Sequence, residues 1–275
     1  MLLSFILIFI YGVSCSNKAI LINCSWQYEN YRHFSNVIAL QSILESNGFT
    51  PKDISVFSKQ DLLDDMRMRE KHIKTDYFTL EKNKNYTPIF RNTSYFDILN
   101  MISGNDSILL NTNEHTNLLI YITGHGGDGF IKYCNRTYLY KNDITDALIN
   151  LQRIRKLKSV LFIADTCQAD TLIDKSRLPE NVTFVSTSLK GESSHSTTFS
   201  DRLNVFPIDL FIMHLYRIHQ EKRIFNGVAL SEFIKSEFPE ELVKSTVTFT
   251  GPDVNLYDFV FQRKIVQNIP ENLYL

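Results

Sequence analysis

The sequence predicts an α/β fold on a mostly parallel six-stranded sheet. Three observations predict it. Four short runs, KAILINC (18–24), NLLIYIT (117–123), SVLFIAD (159–165) and VTFVSTS (182–188), are almost continuously apolar and rich in β-branched residues. That pattern belongs to strands covered on both faces, as in a parallel sheet. Stretches with helical spacing of apolar residues lie between them. Strand and helix therefore alternate, which calls for crossover connections.

Taken in order, residues 1–16 read as a signal peptide. MLLSFILIFIYGVSC offers a short apolar run followed by small residues at Ser14, Cys15 and Ser16. The run is shorter than the about 20 residues needed to cross a bilayer. Residues 17–275 then form one catalytic domain, with no repeat and no Pro/Gly/Ser-rich linker inside it. The first strand is 18–24. YRHFSNVIALQSILESNG carries helical periodicity and stops at Gly48. DISVF (53–57) is a weaker strand. Residues 58–92 are polar and read as an irregular insertion. SYFDILNMISG predicts a helix ending at Gly104, before the strand 117–123. KNDITDALINLQRI predicts the crossover helix to the strand 159–165. PIDLFIMHLYRIHQ predicts a further helix after 182–188, and STVTFT (245–250) a sixth strand. The tail DFVFQRKIVQNIPENLYL holds Arg263, Lys264 and Pro270, which excludes a spanning helix there.

Composition narrows the function. The chain has 29 basic and 30 acidic residues and a net charge of −1, so it lacks the basic excess of a nucleic-acid surface. Its four cysteines, Cys15, Cys24, Cys134 and Cys167, are too few for a disulfide framework. With the leader removed an odd number remains, which points to a free or intermolecularly paired thiol. Asn-X-Ser/Thr sequons occur at Asn23, Asn85, Asn92, Asn105, Asn135 and Asn181, the first within a core strand. Neither CxxC nor HExxH is present, so no zinc site and no metal or other cofactor is expected.

Chemistry concentrates at two strand ends. His125 follows the strand 117–123 within TGHGGDGF, and Cys167 follows 159–165 within ADTCQAD. They lie 42 residues apart, enough for one crossover helix. Both belong at one edge of a parallel sheet, where α/β folds gather their ligands. A thiol must lose its proton to attack, and a neighbouring imidazole takes it and later returns it to the leaving amine. A helix beginning at QADTLID would lower the thiol pKa further. Gly124 allows a turn after the strand, and Gly126 and Gly127 leave the substrate unobstructed. The Gly126 N–H, with that of Cys167, is the expected oxyanion donor.

At these residues the sequence resembles the GPI-anchor transamidase catalytic subunits, a branch of the legumain-like cysteine protease family. YITGHGGDGF and LFIADTCQAD carry the resemblance, which runs from about residue 18 to 260. NYRH (30–33), DDM (64–66), GE (191–192) and DR (201–202) recur in order. The resemblance implies a caspase-like three-layer α/β/α sandwich. It implies His125 as general base and acid, Cys167 as nucleophile, and Asn30 as the residue orienting the histidine. An asparagine before YRHFSNVIAL would equally serve as a helix cap. Arg32, Asp165, Thr187 and Ser188 are implied at the substrate pocket. Implied partners are other subunits of a membrane-embedded complex in the endoplasmic reticulum lumen, a preprotein C-terminal signal and a GPI lipid. The chain would meet the membrane through those subunits. The alternative is a legumain-type asparaginyl endopeptidase of the secretory or vacuolar pathway. The chain departs from the family in two places. Met68 stands where members carry a cysteine bonded to a partner subunit. No acidic match to a family calcium site appears within 82–92.

Overall fold

The computed structural model describes residues 17–59, 62, 65–68, 72–75, 79–81, 94–134, 137–223 and 226–262. The expected leader and the 82–92 segment lie outside the described residues. The chain folds as β1 (Lys18–Asn23), α1 (Tyr31–Ser46), β2 (Ile54–Ser58), the hairpin β3 (His72–Lys74) and β4 (Thr79–Glu81), and α2 (Tyr95–Asn100). There follow β5 (Asn117–Thr123), β6 (Gly126–Gly127), β7 (Phe130–Tyr133), β8 (Thr137–Tyr140), α3 (Lys141–Arg155), β9 (Ser159–Asp165) and β10 (Val182–Ser186). The chain closes through α4 (Leu210–Gln220), α5 (Leu230–Glu237), α6 (Glu240–Val243), β11 (Thr248–Thr250) and α7 (Tyr257–Val260).

Six strands form one sheet in the order β11-β10-β9-β5-β1-β2. All neighbours run parallel except β11, which pairs antiparallel with β10. The alternation of side chains along each strand feeds two cores. On β5, Leu119 and Tyr121 join the core of α1, α4 and α5, while Leu118, Ile120 and Ile122 join that of α2 and α3. A strand that buries both faces must be apolar at every position, which is why these runs show no alternation. The outcome is the three-layer α/β/α sandwich.

Helix ends follow local chemistry. Gly48 takes φ +93 after α1, and Phe49 N–H returns to Leu44 O at 3.1 Å. Ser94 and Asp97 close a capping box at α2: the Ser94 hydroxyl accepts from Asp97 N–H, and Asp97 accepts from Ser94 N–H at 2.7 Å. The helix expected through Gly104 changes instead to a π-helical turn over Met101–Asn105, where Gly104 has φ +96. Asn23, one of the sequons, is buried and donates to Ser58 Oγ at 3.0 Å, so that sequon lies inside the sheet.

The chain reverses direction across the sheet at β1. From β1 it steps outward to β2, then returns to β5 on the other side and on to β9 and β10. Such a switch point opens a crevice at the carboxyl ends of the two flanking strands.

Candidate active site

The register of β5 on β9 sets Thr123 opposite Asp165. Two residues further on, His125 and Cys167 leave adjacent strand ends. A buried strap joins the two departing segments, the Thr166 hydroxyl donating to Gly124 O at 2.8 Å. The segments approach so closely that a Cβ on Gly126 would stand 2.5 Å from the Cys167 carbonyl oxygen and 2.4 Å from Thr166 Oγ1. Room for the neighbouring backbone is therefore the reason for this glycine. Beyond it, β6 and β7 form an antiparallel hairpin in which Lys132 N–H donates to His125 O at 2.7 Å. Hydrogen-bonded and open pairs alternate in such a ladder, so the Gly126 N–H faces away from β7.

His125 Nε2 lies 2.7 Å from Asn30 Oδ1. Asn30 Nδ2 donates to Trp26 O at 2.8 Å, which fixes the amide with its oxygen toward the imidazole. An oxygen partner places the proton on Nε2 and leaves Nδ1 with the lone pair. Asn30 precedes α1, yet its side chain makes no cap bond to that helix. His125 is exposed at one edge. Desolvation by the protein packed behind the ring, then the positive charges of Arg32 and Lys132, lower its pKa to about 4. At neutral pH it is an uncharged base. The His33 ring meets it edge-on, centroids 5.0 Å apart.

Cys167 is half-buried. The helix expected to start behind it is absent. Gln168 adopts a left-handed conformation, φ 53, and only a 3₁₀ turn over Ala169–Thr171 follows. A turn of three residues has no macrodipole to lend the thiol. The loop is instead pinned by hydrogen bonds. Ser188 Oγ donates to Thr166 O at 2.7 Å and accepts from Ala169 N–H at 3.1 Å, bracketing the cysteine. Gln168 N–H donates to Glu192 O at 3.0 Å, and the Glu192 carboxylate accepts from Leu189 N–H and Thr246 N–H.

Beneath the pair lies a buried polar cluster. Arg32 Nε is 3.1 Å from Asp209 Oδ1, and Asn36 Nδ2 donates to Asp209 Oδ2 at 2.6 Å. Asp165 accepts from Tyr121 at 2.9 Å and from Thr187 and Ser194 at 3.0 Å. Burial raises the pKa of Asp165. Burial and then the charge of Asp165 push Asp209 up to about 7, against the pull of Arg32. Asp165, Thr187 and Ser188 are buried, while the Arg32 side chain is 21% exposed and reaches the surface. The open cleft of about 710 Å³ lined by Tyr28, Arg67, Lys74 and Arg202 is a separate feature, since none of His125, Cys167, Asn30 or Arg32 lines it. Among the described residues no group of three or more His, Cys, Asp and Glu side chains is arranged to hold a metal.

Residues 17–244 match the sequence model of the peptidase C13 family. The chain belongs to the peptidase C13 family. Its relatives include the GPI-anchor transamidase of Schizosaccharomyces pombe, 32% identical over 217 residues, covering 71% of this chain and 54% of that protein. That of Saccharomyces cerevisiae is 28% identical, covering 73% and 51%. That of Homo sapiens is 25% identical, covering 75% and 55%. The chain thus spans about half the length of these relatives.

Within this C13 domain, sequence reasoning passed over Asp209, Asn36, Thr166 and Glu192. Asp209 stands just before α4, where an aspartate reads as a helix cap, yet it makes no side-chain cap bond. Glu192 was noted only as part of a recurring dipeptide.

Proposed function

We propose that the chain is the catalytic subunit of a GPI-anchor transamidase in the endoplasmic reticulum lumen. The observation that carries the proposal is Asn30 holding His125 beside the Cys167 loop, in a C13 chain whose relatives bear that name.

His125 Nδ1 takes the Cys167 proton as the sulfur attacks the carbonyl carbon at the attachment site of a preprotein. The oxygen gains negative charge facing the Gly126 and Cys167 N–H groups. The C–N bond breaks, His125 returns the proton to the leaving amine, and the C-terminal signal departs. A thioester joins preprotein to Cys167. The ethanolamine amine of a GPI lipid then attacks that thioester while His125 removes an amine proton. The C–S bond breaks, the thiol is restored, and an amide remains. Water competes with the amine at the thioester, so the site must be closed by other surfaces.

Asn30 orients the base. Arg32 is the pocket group that meets the substrate, backed by Asp209. Asp165 and Thr187 support the pocket floor, and Ser188 positions the Cys167 loop. Among the described residues no helix is long and apolar enough to cross a membrane. We assign the grip on lipid and signal to partner subunits of a membrane complex, with residues 1–16 as the leader into the lumen.

The test is Cys167→Ala in cells that depend on this chain. Anchor attachment should cease while the complex still assembles, and continued attachment refutes the proposal. Purified chain that hydrolyses short Asn peptides rapidly without partners would instead identify an asparaginyl endopeptidase.

A further inference from the structure

Residues 17–275 contain three cysteines, and the mechanism uses one of them. The other two meet. Cys24 follows β1 directly and is fully buried; Cys134 follows β7 directly and is half-buried. The Cys134 N–H donates to Cys24 O at 2.6 Å. With N–Cα about 1.46 Å and Cα···O about 2.4 Å, this one bond keeps the two Cα atoms within about 6.5 Å, inside the upper limit of about 6.8 Å for a disulfide. Both side chains pack in the core of α2 and α3. Cys134 raises the pKa of the Cys24 thiol, second only to burial, as a close neighbour does. Cys134 also holds φ +54, uncommon for a residue with a side chain.

We propose that Cys24 and Cys134 close a disulfide, a modification that staples β1 to the β7–β8 hairpin and leaves Cys167 as the only free thiol of residues 17–275. The half-buried member reacts first. The Cys134 thiolate attacks a small disulfide such as oxidised glutathione, giving a mixed disulfide and one released thiolate. The Cys24 thiolate then attacks the Cys134 sulfur and releases the second glutathione. The two protein thiols lose two electrons and two protons, and one glutathione disulfide becomes two glutathione thiols. The bridge lies under the catalytic loop. A Cβ on Gly124 would stand 3.0 Å from Cys24 Cβ, and Gly124 O is the acceptor of the Thr166 strap. The staple thus backs the segment that presents His125, and it stands independently of which reaction Cys167 performs.

The experiment uses the full chain purified from a secretory host, equilibrated with a reduced and oxidised glutathione buffer, quenched in acid, denatured and alkylated without reductant. The expected result is one alkylated cysteine, Cys167, in residues 17–275 and a Cys24–Cys134 linked peptide. Prior reduction should raise the count to three. Three alkylated cysteines before reduction, or Cys167 found in the bridge, overturns the proposal. In addition, reductant should lower the thermal midpoint of the wild-type chain and leave that of Cys134→Ser unchanged. Equal shifts in the two proteins also overturn it. If Cys134→Ser does not fold, the alkylation count decides.

Discussion

Substituting Gly126 by Ala tests whether His125 and Cys167 are held together by contact between their strand ends. The added Cβ would stand 2.5 Å from the Cys167 carbonyl oxygen, whereas ordinary contact begins at 3.4 Å. A gap of about 0.9 Å must therefore open between the two strand ends, because the Cys167 carbonyl is backbone and the still nearer Thr166 hydroxyl, 2.4 Å from that Cβ, is tied to Gly124 O. Misplacing catalytic groups by about 1 Å costs roughly 10²-fold in rate. Overpacking adds about 1–3 kcal/mol of destabilisation. Gly127→Ala is the matched control. Its Cβ would meet Phe130 Cζ at 2.5 Å and Cε1 at 2.7 Å, the far end of a ring that can swing. Anchor attachment in cells relying on the chain, or thioester formation by the purified complex, should fall about a hundredfold in Gly126→Ala and less than about tenfold in Gly127→Ala. A Gly126→Ala enzyme within about threefold of wild type would refute the reasoning, as would equal losses in both variants.

Three further outcomes follow from the same geometry. Asn30→Ala removes one hydrogen bond of about 1–1.4 kcal/mol from the imidazole, so kcat should fall roughly fivefold to tenfold with KM unchanged; a pure KM effect would place Asn30 outside base orientation. Thr166→Val leaves the buried Gly124 carbonyl without its donor and should cost about 1–3 kcal/mol in denaturant unfolding, with an unchanged value sinking the strap. The pH dependence of stability has two opposed parts. His33 and His125 have folded pKa values below the ordinary 6.5, so the unfolded chain binds protons first and stability declines as pH falls from about 6.5 toward 4. Asp209, raised from 3.8 to about 7, takes its proton in the folded state and adds stability as pH falls from about 7 toward 4. Asp209→Asn should therefore steepen the acid loss of stability, and parallel curves would contradict the raised carboxyl.

The central strands were legible because burial on both faces removes polar positions and leaves runs such as NLLIYIT unmistakable. β5 and β9 were expected at 117–123 and 159–165, the bounds observed. The edges were harder. β11 is three residues, shorter than its expected run, and the β6–β7–β8 sheet was not foreseen, because a two-residue strand of glycines carries no periodicity. His125 and Cys167 were visible as chemistry at strand ends. Their support was not, because Asn30 and Asp209 occupy positions where cap-forming residues are ordinary. Only coordinates reveal that neither side chain caps its helix and that both turn to the site. The helix wrongly expected after Cys167 has a local cause: Gln168 enters the left-handed region and ends the regular path after one turn. Gly126 was legible as room for a substrate, and the structure adds that a Cβ there would meet Thr166 Oγ1 and the Cys167 carbonyl.

The ladder between β5 and β9 makes the spacing of Cys167 and His125 a stepped quantity. Sliding one strand by a single residue would turn every side chain on it to the opposite core, and the next permitted position lies about 6.6 Å away. No intermediate register exists for mutation to explore. Along the strand axis the offset of Cys167 from His125 can be lost outright, but it cannot drift.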